Sequence, residues 1–336
     1  MKRYQLTAFD LDHLELVPGD DPRPGRGEIV MAPTALSLNY RDLLVITGLY
    51  NPRLPLPCTP ISDGAGKIVA TGEGVTGLAE GDLVMTSFVS GWLEGPYRAE
   101  YQKTSLGTPG PGLAASRVVL PAHAVVPVPK GYDAAQASTL PIAALTAWSA
   151  LVTEGKLRAG QTVLTLGTGG VSIFTLQIAK AMGATVIITS SSSEKLERAR
   201  ALGADHTINY RDEPRWERKV LEMTGGEGVD VVVENGGVQT LSRSLRSVRG
   251  GGTISLLGAL TGLQGEVDIA PILMKRVKVA GILVDSRASL LALSRFLEDK
   301  RIQPVIDARF PFEKLRDALL HLRDGKHFGK IVIEME

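Results

Sequence analysis

Residues 163–184, VLTLGTGGVSIFTLQIAKAMGA, constrain the fold more than any other stretch of the chain. The first residues predict a strand, Gly167-Thr168-Gly169-Gly170-Val171-Ser172 a tight turn, and the rest a helix closed by Gly183. A strand that turns through glycines into a helix aims the free N–H groups of the first helical turn at whatever lies above it. The positive end of the helix dipole points the same way, as a pyrophosphate requires. Side chains at Gly167 or Gly169 would block the turn or the close approach. Ser172 stands where the third glycine of such a fingerprint is usual. The spacing alone is weak, but between a clear strand and a clear helix in a repeating series it is strong. The alternative is a tight turn that only packs.

The series continues. ATVIITS, HTINY, VDVVVEN and GTISLLG are apolar strands, with SEKLERARALG and further helical stretches between them. Near-continuous apolar strands separated by helices predict a parallel sheet buried on both faces. Upstream of about residue 125 the texture differs: short β-branched runs alternate with Gly, Pro and Asp clusters, as in a meandering β domain. LPIAALTAWSALV reads as a helix with Pro141 in its first turn. Beyond VKVAGILV come two helices and a closing strand, GKIVIEM. The expected division is a β-rich domain of residues 1–127 and 268–336 around a nucleotide-binding domain of residues 128–267.

The strand ATVIITS ends at Ser190, where an NAD site expects an acid for the ribose 2′-hydroxyl. Here the stretch is Thr189-Ser190-Ser191-Ser192-Ser193-Glu194-Lys195. A carboxylate at Ser190, about 5 Å from a 2′-phosphate, would repel it by roughly 3 kcal/mol at an effective dielectric near 20. Its absence, with Lys195 nearby, favours NADP(H). Tyr210, after the next strand, is a candidate cover for the adenosine phosphate, or an ordinary strand-end tyrosine. Lys plus Arg is 37 and Asp plus Glu 36, so charge indicates neither nucleic acid nor an acidic membrane surface as a partner. No apolar run approaches the roughly 20 residues of a membrane span. The single cysteine, Cys58, excludes an internal disulfide and a cysteine-rich zinc site. A cytoplasmic location is the expectation.

The segments NYRDLLVITGLY, PISDGAGKIVATGEGVTGLAEGDLV, LTAW, LGTGGVS, KLERARALGADHTINY, GVDVVVENGG and GKIVI together resemble the medium-chain dehydrogenase/reductase superfamily over the whole chain. Its zinc-free quinone and enoyl reductase branches, and alcohol dehydrogenase relatives that have lost their metal, are the nearest in pattern. The resemblance implies an α/β fold: a GroES-like β-rich catalytic domain plus a Rossmann doubly wound parallel-sheet domain. It implies cofactor contacts at Thr146, Gly167, Gly169, Gly170, Val171, Ser190, Lys195, Tyr210, Asn235, Gly236, Leu257, Gly258, Leu283, Val284, His327 and Lys330. It also implies a homodimer, joined through the strand in VKVAGILV. Zinc members carry a Cys where this chain has Asn39 and His-Glu where it has Ser62-Asp63. Asn and Ser are poor zinc ligands, so no metal is expected.

A metal-free site must stabilise charge on the substrate oxygen by hydrogen bonds. Asn39 matches the asparagine of the quinone reductase pattern, and Tyr50 the tyrosine that relatives use as proton donor or polar clamp. A lid residue that only packs is the alternative for Tyr50. Arg41 and Asp42 are expected to form a structural pair, and Trp92 and Tyr97 to line the substrate mouth or pack in their loop. The expected activity is hydride transfer from NADPH to a small electrophile, a quinone or an α,β-unsaturated carbonyl. A metal-free alcohol or aldehyde dehydrogenase, and a non-catalytic NADPH-binding protein, are the alternatives.

Overall fold

The strand–turn–helix series builds an α/β molecule, seen in a computed structural model that describes residues 1–335. The chain divides into two compact units, Thr146–Leu283 and a second made of Met1–Leu145 with the segment from Val284 onward. The nucleotide-binding unit thus begins and ends later than 128 and 267. Its far limit moves because Lys278–Gly281 pairs in parallel with Val248–Leu256 and belongs to that sheet.

The contiguous unit is a six-stranded, all-parallel sheet. Its strand order is His206–Asn209, Thr185–Ser190, Thr162–Leu166, Val229–Glu234, Val248–Leu256, Lys278–Gly281. The chain starts in the middle, runs to one edge, then returns to build the other half. The reversal lies beside Thr162–Leu166, and a crevice outside the carboxyl ends of the strands at such a point is where open α/β sheets take ligands. Strand interiors such as Val163, Leu164, Ile187, Ile188, Val232 and Val233 are fully buried, which the unbroken apolar runs require. Gly183 and Gly203 follow their helices with φ of 81° and 99°, the left-handed cap that ends a helix without a Cβ clash.

The other unit is built on a seven-stranded, largely antiparallel sheet. Glu28–Ser37 is its centre, pairing with Asp63–Thr71, Val118–Pro121 and Lys330–Glu334. Leu83–Thr86 and Val125–Pro127 extend one side, and Ile306–Pro311 lies in parallel beside Lys330–Glu334 on the other. Two segments hundreds of residues apart in sequence therefore meet in one sheet. The helix Tyr40–Ile46 leaves its centre, and helices Arg287–Lys300 and Leu315–Arg323 belong to the returning segment. The stretch around Pro141 is helical, but not one regular helix: wide π-type turns at Leu140–Ala144 and Ser149–Glu154 flank a single α turn at Leu145–Trp148. No helix among the described residues is long and apolar enough to cross a membrane.

Candidate functional site

The glycine turn has the geometry that its residues demand. Gly167 has φ of 76°, and Gly169 is the extended cap of the helix Gly170–Ala181. Ile173 N–H closes the first helical bond onto Gly169 O, so the preceding N–H groups of Gly170, Val171 and Ser172 precede the helical ladder. A Cβ added at Gly167 or Gly169 would meet no atom within 4 Å. The space above the turn is open, and the residues present fit a bound dinucleotide pyrophosphate. Ser172 is buried and stitches strand ends together: its hydroxyl donates to Leu166 O at 2.7 Å and accepts from Asn235 Nδ2 at 2.9 Å. A glycine could make neither bond, which accounts for serine at the third position.

Glu234 is a residue that sequence reasoning missed. It is fully buried at the end of its strand. One carboxylate oxygen accepts from Gly236 N–H at 2.7 Å, Gly237 N–H at 3.1 Å and Thr240 Oγ1 at 2.7 Å, and the other accepts from Ser244. It thereby fixes the Asn235–Gly237 turn and ties it to the side chains of Thr240 and Ser244 on the helix Val238–Ser247 that follows. Asn235, Gly236, Leu257 and Gly258 converge on this turn. Leu257 N–H donates to Glu234 O, and a Cβ on Gly258 would come within 2.3 Å of Asn235 O.

Ser190 is buried at the end of its strand, where its hydroxyl accepts from Ser192 N–H at 3.2 Å. Ser192 then caps the helix Ser193–Ala201, accepting from Lys195 N–H. Lys195 is half-buried in the first turn of that helix, and Tyr210 is exposed. Thr146 is buried, with its hydroxyl unpartnered. Leu283 is the last residue of this unit and Val284 the first of the other unit's returning segment. His327 lies half-buried just before the strand Lys330–Glu334.

The other unit, built on the seven-stranded sheet, holds the second cluster. Asn39 precedes the helix Tyr40–Ile46, and its N–H donates to Asp42 Oδ2 at 2.8 Å. Lys330 Nζ donates to Asn39 Oδ1 at 2.7 Å and Leu38 O at 2.6 Å. Asn39 Nδ2 donates to Asp63 Oδ2 at 2.9 Å and, more weakly, to Ser37 O at 3.4 Å. Asp63 Oδ2 also accepts from Ile142 N–H at 3.1 Å, while its Oδ1 is buried without a partner. Burial raises the Asp63 carboxyl to about 7 against the pull of Lys330, and lowers the Lys330 ammonium to about 8 against the pull of Asp63 and Asp42. Burial also raises Asp42. Lys330, expected at the cofactor, and Asn39, expected to orient the substrate oxygen, are joined to each other: the Asn39 amide is engaged at both ends, by Lys330 and Asp63.

Arg41 and Asp42 do not pair directly, because Ser62 stands between them. Arg41 Nη1 donates to Ser62 Oγ at 2.6 Å, and Ser62 Oγ donates to Asp42 Oδ1 at 3.3 Å. Arg41 also donates to Leu106 O at 3.3 Å and Thr108 O at 2.7 Å. Its guanidinium carbon lies 4.3 Å from the ring centre of Tyr50 and 4.8 Å from that of Phe88. Tyr50 is thus held against a cation, half-buried, rather than standing free. Trp92 is buried against Tyr97 and Tyr101 at ring separations of 5.3 and 6.2 Å and packs within its loop; Tyr97 is exposed. Cys58 is half-buried, and burial raises its thiol above the ordinary range.

Among the described residues no three His, Cys, Asp or Glu side chains group as a metal site. Asn39 and Ser62 are each hydrogen-bonded to a protein cation, Lys330 and Arg41. This donor set does not fit Zn²⁺, which needs thiolate, imidazole or carboxylate and no cation beside it.

Two family models match the chain: the alcohol dehydrogenase GroES-like domain over residues 25–130 and the zinc-binding dehydrogenase over residues 170–299. A zinc-type alcohol dehydrogenase-like protein of Schizosaccharomyces pombe is 42% identical, over 99% of this chain and 97% of its own length. Human quinone oxidoreductase is 28% identical, over 93% and 90%. A solved structure described as an NAD-dependent alcohol dehydrogenase is 33% identical, covers 100% of both chains and superposes with a TM-score of 0.92.

Proposed function

Given that the chain belongs to the medium-chain dehydrogenase/reductase superfamily and is an oxidoreductase, we propose that it is a zinc-independent, NADPH-dependent reductase of quinones or α,β-unsaturated carbonyls. The observation that carries this reading is the donor set of the GroES-like unit, in which Lys330 and Arg41 bond to the residues at two metal-ligand positions. When bound, the reduced nicotinamide would supply hydride to an electrophilic substrate carbon, leaving negative charge on the substrate oxygen. The glycine turn and the N–H groups that follow it would hold the pyrophosphate, with Glu234 keeping the neighbouring turn in place. Tyr50 is the group proposed to give the proton. Asn39, with its amide engaged, is the keystone that sets the start of helix Tyr40–Ile46.

The choice of NADP(H) rests on Ser190 and Lys195. The solved NAD-dependent relative shares the fold, and the two dinucleotides differ only where a ribose hydroxyl or phosphate meets the end of strand Thr185–Ser190. A cytoplasmic homodimer is part of the same reading. The proposed contacts are the edge strand Lys278–Gly281 and the exposed Leu273 and Met274 just before it. A metal-free alcohol or aldehyde dehydrogenase is the second reading; the name of the Schizosaccharomyces pombe relative supports its alcohol dehydrogenase part only. The deciding experiment is NADPH and NADH consumption over quinones, enones, enoyl thioesters and aldehydes, with and without chelator. Turnover of aldehydes alone would replace the first reading with the second. Tight NADPH binding with no turnover on any of them would identify a non-catalytic binding protein.

A further inference from the structure

We propose that Arg41 is the anion-stabilising residue of the GroES-like unit: its guanidinium takes the negative charge that forms on the substrate oxygen beside Tyr50. An arginine held in protein usually meets a carboxylate, because a half-buried guanidinium without one carries an uncompensated charge. Arg41 meets none at ion-pair distance among the described residues. Its three acceptors are neutral, the Ser62 hydroxyl and the carbonyls of Leu106 and Thr108. The nearest acid, Asp42, is reached only through Ser62, and its other oxygen is already on Asn39 N–H. Arg41 Nε is buried with no acceptor.

The charge is also fixed in place. Three hydrogen bonds and the rings of Tyr50 and Phe88 hold the guanidinium plane, and a preorganised cation costs no reorientation when charge develops nearby. Such a group favours substrates that pass through an oxyanion. Arg41 takes this part only in the reduction proposed above. There, hydride adds to the β-carbon of an enone, the C=C electron pair moves toward the carbonyl, and the resulting enolate oxygen is the anion. The enolate then takes a proton at its α-carbon and loses its charge. The other charged groups of the cluster, Lys330, Asp63 and Asp42, form their own network around Asn39.

The probe is 4-nitrophenolate, an unreactive mimic of an enolate, with neutral 4-nitroanisole as its uncharged partner. In the wild-type protein with NADP⁺ bound, nitrophenol should bind as its anion, so that its yellow form persists to lower pH than in free solution. Arg41→Gln should weaken nitrophenolate at least 10-fold and 4-nitroanisole less than 2-fold, and lower kcat on an enone by a larger factor than it changes KM. Arg41→Lys, which keeps a charge but not the planar fork, should recover part of the nitrophenolate affinity. Bound nitrophenol that titrates as in free solution, or equal losses for both probes in Arg41→Gln, would overturn the role of Arg41. The wild-type spectrum needs no variant, so a misfolded Arg41→Gln does not spare the proposal. Anion binding that depends on Arg41 without enone or quinone turnover would instead sink the reductase reading and leave the anion site standing.

Discussion

At the scale of single residues, the most consequential link runs from Lys330 to Asn39, whose amide bridges it to the buried Asp63 carboxyl. Removing one partner of a buried charge pair leaves the other uncompensated, and the usual cost is about 3–5 kcal/mol. Lys330→Met should therefore lower the free energy of unfolding in urea by that order. The pH dependence has a definite sign. A carboxyl whose folded pKa is raised contributes stability at low pH that is lost as pH rises through that folded value. Without Lys330 the Asp63 carboxyl rises further, so Lys330→Met should go on losing stability with rising pH past the point near 7 where the wild-type loss from this group levels off. Adding Asp63→Asn should recover much of the loss; a double variant no more stable than the single one would refute the pairing. Tyr50→Phe tests the proton donor. If the hydroxyl gives its proton in the transition state, kcat on an enone should fall by about 10²-fold or more, the usual scale of general acid catalysis. A quinone, whose reduced form can take protons from water, should lose less. Unchanged kcat on both would leave Tyr50 a packing partner of Arg41.

At the scale of elements, the strand Thr185–Ser190 and the helix after it carry cofactor choice. The Ser190 hydroxyl accepts from Ser192 N–H, a bond that an aspartate can also accept, so the turn tolerates the change. Ser190→Asp should weaken NADPH by about tenfold or more, about 1.4 kcal/mol, and spare NADH. Equal or better use of NADH by the unaltered protein would contradict the NADPH assignment. This part of the molecule was legible in the sequence, because its signals are local: glycines at the turn, apolar runs for strands and capping glycines after helices. Glu234 was not legible. An acid ending VDVVVE reads as the polar end of a strand, and nothing local shows that a helix and a turn will close over it. Arg41 failed for a different reason. Adjacent opposite charges suggest a pair, but Asn39 N–H and Ser62 take the two oxygens of Asp42. The irregular helix around Pro141 shows the limit of periodicity, which gives helical type but not turn width.

At the scale of the whole molecule, the open question is how the contiguous unit covers its sheet edge. Lys278–Gly281 has a neighbour on one side only, and Ile269, Leu273 and Met274 near it are 60%, 71% and 84% exposed. An unprotected edge with apolar neighbours invites pairing, and a two-fold partner satisfies it with closed symmetry. Sedimentation at micromolar concentration should show a dimer, and Leu273→Glu with Met274→Glu should shift it toward monomer without loss of secondary structure. A wild-type monomer under those conditions would remove the homodimer from the functional reading. The two-texture organisation of the chain was visible in its sequence, whereas the limits of the units were not. Strand membership at Lys278–Gly281 is decided by hydrogen bonds to Val248–Leu256, not by a change in composition.

The central sheet of the GroES-like unit has a consequence for the order in which the protein is made. Lys330 and Asn39 are 291 positions apart, and Lys330–Glu334 is an inner strand, flanked by Glu28–Ser37 and Ile306–Pro311. A ribosome therefore delivers Asp63 and Asn39 long before the cation that neutralises their surroundings. During that interval the nascent amino-terminal segment holds an open sheet edge and a carboxylate that it cannot bury. The Thr146–Leu283 unit, contiguous in sequence, is free to fold first. A chain stopped short of Lys330 should keep that unit and expose the rest to proteases, which limited proteolysis of such a truncation would show.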